Sequence, residues 1–256
     1  MLSPHHALAC LAWQIELGAT EAISDSPLNR YDLPEKSSRL APEPVTPLPG
    51  TAPHADPVAE AQRAATTAAT LEALQSSLAT YPHCDLRRGA RNLVFCDGTP
   101  AARVMVIGEA PGRDEDIQGK PFVGRAGQLL DRMFAAIGLS RGAERPENAL
   151  YITNVLPWRP PQNRDPSPEE IAMMRPFMQR HVALANPDLI VLMGNISCEA
   201  GLGRRGITRL RGHWAEAYGK PALPMFHPAY LLRSPHAKRE AWADLLALRA
   251  RLGGCP

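Results

Sequence analysis

Arg103-Val-Met-Val-Ile-Gly108-Glu-Ala-Pro-Gly112-Arg-Asp-Glu-Asp116, continued by Gly119-Lys-Pro-Phe-Val-Gly124, is the stretch around which the chain is built. Its opening is a short, largely β-branched apolar segment that reads as a buried strand. Beyond it, Leu129, Leu130, Met133, Phe134 and Ile137 form an apolar helical face that stops at Gly138. The order is strand, tight glycine turn, acidic loop, helix. Glycines let the backbone approach a ligand closely. Carboxylates in such a loop can position water or hold a polar ring. An ordinary βα turn with a solvated acidic loop would explain Gly108 to Gly112, but not Lys120-Pro-Phe-Val-Gly124 at its fixed distance.

Strand-like runs recur at 92–96, 103–107, 150–155, 188–193 and 222–226. Helical patterns lie at 58–80, 126–138, 168–185, 195–202 and 236–252. This alternation predicts an α/β fold, a three-layer α/β/α sandwich with a mainly parallel central sheet. Such sheets bind ligands at the carboxyl ends of their strands. Gly108, Asn154 and His227 each fall at such an end, so the alternation alone brings them together.

The chain has 256 residues and a net charge of only +2, so charge does not by itself announce a nucleic-acid binder. No apolar run approaches the ~18 residues of a membrane span. The N-terminus lacks a basic region followed by an apolar block, and no signal peptide is expected. The five scattered cysteines suit reduced cytosolic thiols better than a disulfide framework, so a cytoplasmic location is expected. Residues 1–24 read as an amphipathic helix. Residues 25–57 are rich in proline and poor in large apolar residues, and read as a disordered linker. Residues 58–256 form the main domain.

Three stretches, taken together, resemble the family 4 uracil-DNA glycosylases. The first is the Gly108 to Gly124 stretch followed by Ala126-Gly-Gln-Leu-Leu130. The second is Tyr151-Ile-Thr-Asn154 with Trp158-Arg-Pro-Pro161 and Asn163-Arg164. The third is His227-Pro-Ala-Tyr-Leu-Leu-Arg233. The resemblance covers roughly 80–250. It implies a uracil-DNA glycosylase-like fold and a monofunctional DNA-repair hydrolase that releases uracil and leaves an abasic site. Uracil-containing DNA would be its substrate, base flipping its mode of access and base excision repair its setting.

The resemblance also implies roles. His227 would donate to uracil O2 as charge develops there, and the Asn154 amide would pair with O4 and N3. Phe122 would offer its face to the base, over Gly108 and Ala110. Glu115 is expected to orient the attacking water, and Glu109 to serve the site's architecture. Where family 1 glycosylases place an aspartate, this chain has Ala110. Leu231, with Leu232, reads either as an apolar wedge into the DNA stack or as plain core. Arg159, Arg164, Arg209, Arg211 and Arg233 read as phosphate contacts. The stretch Trp158 to Glu170 has no histidine, which sets aside a related branch that attacks DNA through one.

The family carries a [4Fe–4S] cluster on four cysteines. Here those positions read Tyr81, Cys84, Trp158 and Met174, and only one can supply a thiolate. No cofactor is therefore expected, with the other three side chains filling the space as apolar core. The protein is expected to be monomeric, with a repair or replication protein as a partner through its N-terminal helix. The alternative is a non-catalytic DNA-binding module of the replication or repair machinery, related to domains beside phage-type DNA polymerases. A phosphate-binding hydrolase fits less well, because the acidic run after Gly112 would repel phosphate.

Overall fold

The structure, a computed structural model, describes residues 12–15, which are helical, and 56–253. The chain divides into units 1–53 and 54–256. Apart from 12–15 and 56–57, the expected N-terminal helix and proline-rich linker fall outside the described residues.

The second unit begins with α1 (Pro57–Thr67) and α2 (Leu71–Thr80), where the apolar pattern suggested one helix. The break is chemical. Thr70 accepts a hydrogen bond from the Ala73 N–H, and a capping side chain of this kind starts a new helix. A short turn, α3 (Leu86–Gly89), leads to β1 (Cys96–Gly98), which lies further along than the expected 92–96. Then come β2 (Val104–Gly108), α4 (Arg113–Gln118) and α5 (Arg125–Ala135). The acidic run is thus the first turn of a helix rather than a loop, and carboxylates suit that end of the helix dipole.

Next are β3 (Leu150–Asn154), α6 (Pro168–Ala185), β4 (Leu189–Met193), α7 (Asn195–Leu202) and the single turn α8 (Ile207–Leu210). The unit closes with β5 (Ala215–Ala217), β6 (Lys220–Met225), α9 (Pro228–Arg233) and α10 (Lys238–Gly253).

The sheet runs β1-β3-β2-β4-β6-β5. Its four inner strands are parallel, and the short edge strands β1 and β5 are antiparallel. Strands β2, β3 and β4 are buried along their whole length, because helices cover both faces. Met105, Ile107, Ile190 and Leu192 point to the layer holding α1, α2, α6 and α7. Val104, Val106, Val191 and Leu223 point to the layer of α5 and α10. This is the expected α/β/α sandwich. Among the described residues, no helix is long and apolar enough to cross a membrane.

Candidate active site

The carboxyl ends of β2, β3 and β6 open onto one cavity of about 530 Å³, within the range of small-ligand sites. Glu109, Ala110, Glu115, Phe122, Asn154, Arg164, His227 and Arg233 all line it, as the strand-end argument requires.

Gly108 lies beneath the cavity, where a side chain would not fit. A Cβ there would stand 2.3 Å from Asn154 Oδ1 and 2.6 Å from the Phe122 ring. The glycine therefore lets Asn154 and Phe122 meet over the end of β2. Phe122 has φ of 54°, a left-handed conformation that a bulky residue adopts only when its surroundings impose it. Its ring lies 5.4 Å from that of His227, at 28°.

Asn154 is only 4% exposed, yet its amide makes no hydrogen bond among the described residues. Buried polar groups are nearly always paired, so an open amide facing a cavity is available to a ligand. His227 caps α9, and its Nδ1 accepts from the Ala229 N–H at 3.1 Å. Burial, helped by the nearby Arg233 charge, pushes its pKa down to about 4. The ring is then neutral near pH 7, and with Nδ1 accepting, the proton sits on Nε2. Nε2 makes no hydrogen bond among the described residues.

The two glutamates differ in how their carboxylates are engaged. Glu115 does not hold a free carboxylate for water. Oε1 accepts from the N–H groups of Val123 (3.1 Å) and Gly124 (2.9 Å), and Oε2 from Gly112 (3.1 Å). It ties the glycine turn to the Pro-Phe-Val loop. The Glu109 carboxylate has no hydrogen bond or ion pair among the described residues, while its backbone carbonyl accepts from the Leu156 N–H at 3.0 Å. Burial raises its pKa, as does Asp165, with Arg205 opposing them. Asp116 is not a solvated charge either, since it accepts from the N–H groups of Arg91 and Asn92.

Two of the expected DNA contacts are structural. Leu231 is 0% exposed and packs with Leu129, Phe226 and Ala241, so it cannot serve as a wedge in this conformation. Arg211 is ion-paired with the buried Asp244 and donates to the Glu240 carbonyl, both on α10, so it does not face solvent as a phosphate contact would. Arg159 donates to Asn163 Oδ1, and Arg164 forms a two-pronged pair with Glu170 at the cavity rim. Arg209 and Arg233 are exposed. Sequence reasoning missed Gly194 and Asn195, which line the cavity at the end of β4. Their signal was available, since a glycine-asparagine pair follows a fully apolar strand.

The four positions at which the resemblance implies cluster thiolates are not among the residues that line this cavity. Tyr81, Cys84, Trp158 and Met174 are all buried in one apolar cluster. Tyr81 donates through its hydroxyl to the Pro57 carbonyl at 2.7 Å and meets Phe177 edge-on. Burial pushes the Cys84 thiol up to about 11. One protonated thiol among a phenol, an indole and a thioether does not fit a cluster that needs thiolates.

Residues 95–246 match the uracil DNA glycosylase superfamily. The chain is 39% identical to the type-4 uracil-DNA glycosylase of Archaeoglobus fulgidus over 170 residues, covering 63% of this chain and 82% of that protein. It is 39% identical to the corresponding protein of Thermotoga maritima over 154 residues, 59% of this chain and 77% of the relative. A DNA polymerase of Bacillus phage SP01 is 31% identical over 157 residues, 61% of this chain but 16% of that polymerase. With three motifs converging on one cavity and these matches across the folded unit, the chain belongs to the uracil DNA glycosylase superfamily and to its type-4 family.

Proposed function

We propose that this protein hydrolyses the N-glycosidic bond of deoxyuridine in DNA, releasing uracil and leaving an abasic site. The observation that carries the reading is the cavity's set of unpartnered polar groups. The Asn154 amide, His227 Nε2 and the Glu109 carboxylate all face one space beside Phe122.

A nucleotide flipped from the stack would bring its base against Phe122. Asn154 can donate to O4 and accept from N3–H. The neutral His227 donates from Nε2 to O2, where negative charge grows as the bond to the sugar breaks. The sugar meanwhile becomes oxocarbenium-like, and a carboxylate beside it stabilises that cation and orients water. Glu109 is the carboxylate free for this work, and Glu115 holds the loop. Arg233, Arg164 and Arg209 would meet phosphates.

The cluster of the iron–sulfur relatives is read as lost, with Tyr81, Trp158 and Met174 packed in its place, so no step runs through a metal. The protein is read as a monomer working in the cytoplasm on DNA, with residues 1–24 available to a repair or replication partner.

The similarity to a stretch of a phage DNA polymerase favours one alternative, a DNA-binding module without activity. Incubation with a uracil-containing oligonucleotide followed by alkali separates the two. Strand scission at the uracil is expected, and intact strands with retained binding would favour the module.

A further inference from the structure

We infer that Arg141 is a positioning residue for base binding, acting through Phe122; this rests on the uracil reading above. Arg141 lies in the connection between α5 and β3, outside the three motifs, and its side chain is 17% exposed. Nη1 donates to the Pro121 carbonyl at 2.9 Å and to Asp97 Oδ2 at 3.0 Å. Nη2 donates to the Phe122 carbonyl at 2.9 Å, and Nε to Asp131 Oδ1 at 2.9 Å. The rigid guanidinium fork thus grips two consecutive carbonyls, while Asp97 and Asp131 balance its charge and fix its plane.

Consecutive carbonyls of an extended chain point in opposite directions. To face one guanidinium together, the backbone between them must turn, and Phe122 does so at φ of 54°. The loop is held from its other side as well. Glu115 takes the N–H groups of Val123 and Gly124. Gly127 lies so close that a Cβ there would stand 1.8 Å from the Phe122 oxygen. A cation on the carbonyls and an anion on the amides together hold a strained backbone, and its product is the place of the Phe122 ring beside Asn154 and His227.

The test is a double-mutant cycle. Arg141→Gln, Phe122→Ala and the double variant are compared with wild type for single-turnover uracil release, inhibition by free uracil and binding to uracil-free duplex. Arg141→Gln should slow release by up to roughly 10²-fold, as a misplacement of about 1 Å can. It should weaken inhibition by uracil and leave duplex binding unchanged. In the Phe122→Ala background it should change release by less than about threefold, because coupled residues do not add. If Arg141→Gln does not fold, Arg141→Lys keeps the charge between Asp97 and Asp131 but cannot span both carbonyls. The same cycle applies to it, with a loss of at least tenfold expected. A wild-type rate in Arg141→Lys, or equal losses with and without the Phe122 ring, overturns the inference. Absence of release by the wild type itself overturns the parent reading, and this inference with it.

Discussion

Two buried regions of the molecule hold polar side chains, and they treat them in opposite ways. In the packed layer around α1, α2 and α6, most buried polar side chains find partners, the Tyr218 hydroxyl at its edge being the exception among the described residues. Tyr81 donates to Pro57, the Tyr151 hydroxyl meets His181 Nε2 at 2.7 Å, and His181 stacks on Phe95. At the strand ends, Asn154, His227 Nε2 and Glu109 are left open toward a cavity. Asn154 is buried, while His227 and Glu109 are half-buried. Full burial of a polar group without a partner costs roughly 1–3 kcal/mol, so groups of this kind stay open at a cavity that solvent or a ligand can enter. Paired polar groups in the first region serve the chain's own stability, and the open groups at the strand ends are available to a ligand.

The sharpest break of this contrast is Asn154→Asp, which presents acceptors where uracil O4 needs a donor. Release should fall by roughly 10⁴, the scale on which a polar site rejects the wrong partner. Normal single-turnover release by the folded variant would show that Asn154 does not read the base. His227→Ala should cost roughly 10²–10³ in release, as for loss of one oxyanion donor, with DNA binding little changed. An unchanged rate would remove His227 from the chemistry.

In the satisfied region the losses should appear in stability and not in turnover. Trp158→Ala should destabilise by roughly 3–5 kcal/mol in urea titration, as other large core truncations do, and Cys84→Ser by much less with activity intact. Iron and sulfide should be close to zero after anaerobic purification; about four irons per chain, as in a [4Fe–4S] centre, would contradict the packed reading.

The smallest effect is a pH dependence. Burial lowers the His181 pKa to about 3, below its unfolded value of about 6.5. The unfolded chain therefore takes up a proton first as pH falls. The contribution of neutral His181 is fully present above about pH 6.5 and is lost as pH drops toward the folded value. Between about pH 6.5 and 5 this is worth roughly 2 kcal/mol, and His181→Phe should flatten that part of the curve. An equally steep acid loss in the variant would mean that other groups carry it.

How much of this was legible in the chain differs from residue to residue. The alternation of apolar runs with helical faces is local, and it determined the sandwich, the parallel inner strands and the meeting of Gly108, Asn154 and His227 at their ends. The three motifs were legible for the same reason, since each is a continuous stretch. Which carboxylate of the acidic run is free was not legible. That depends on whether the amides of Val123 and Gly124 come within reach of Glu115 or of Glu109, and only the packed loop settles it. The fate of Leu231 and Arg211 was likewise tertiary. An apolar residue beside an arginine reads as a wedge or as core, and a cation reads as a phosphate contact, until Phe226 closes over the one and Asp244 pairs with the other. Arg141 is the extreme case. Its partners lie 44, 20, 19 and 10 positions away, at Asp97, Pro121, Phe122 and Asp131, and no periodicity in a chain records a contact across such distances. Side-chain type and spacing determine which elements form and which ends coincide. Which polar groups remain unpaired is decided only when the elements close on one another, because pairing depends on distances that no single stretch contains.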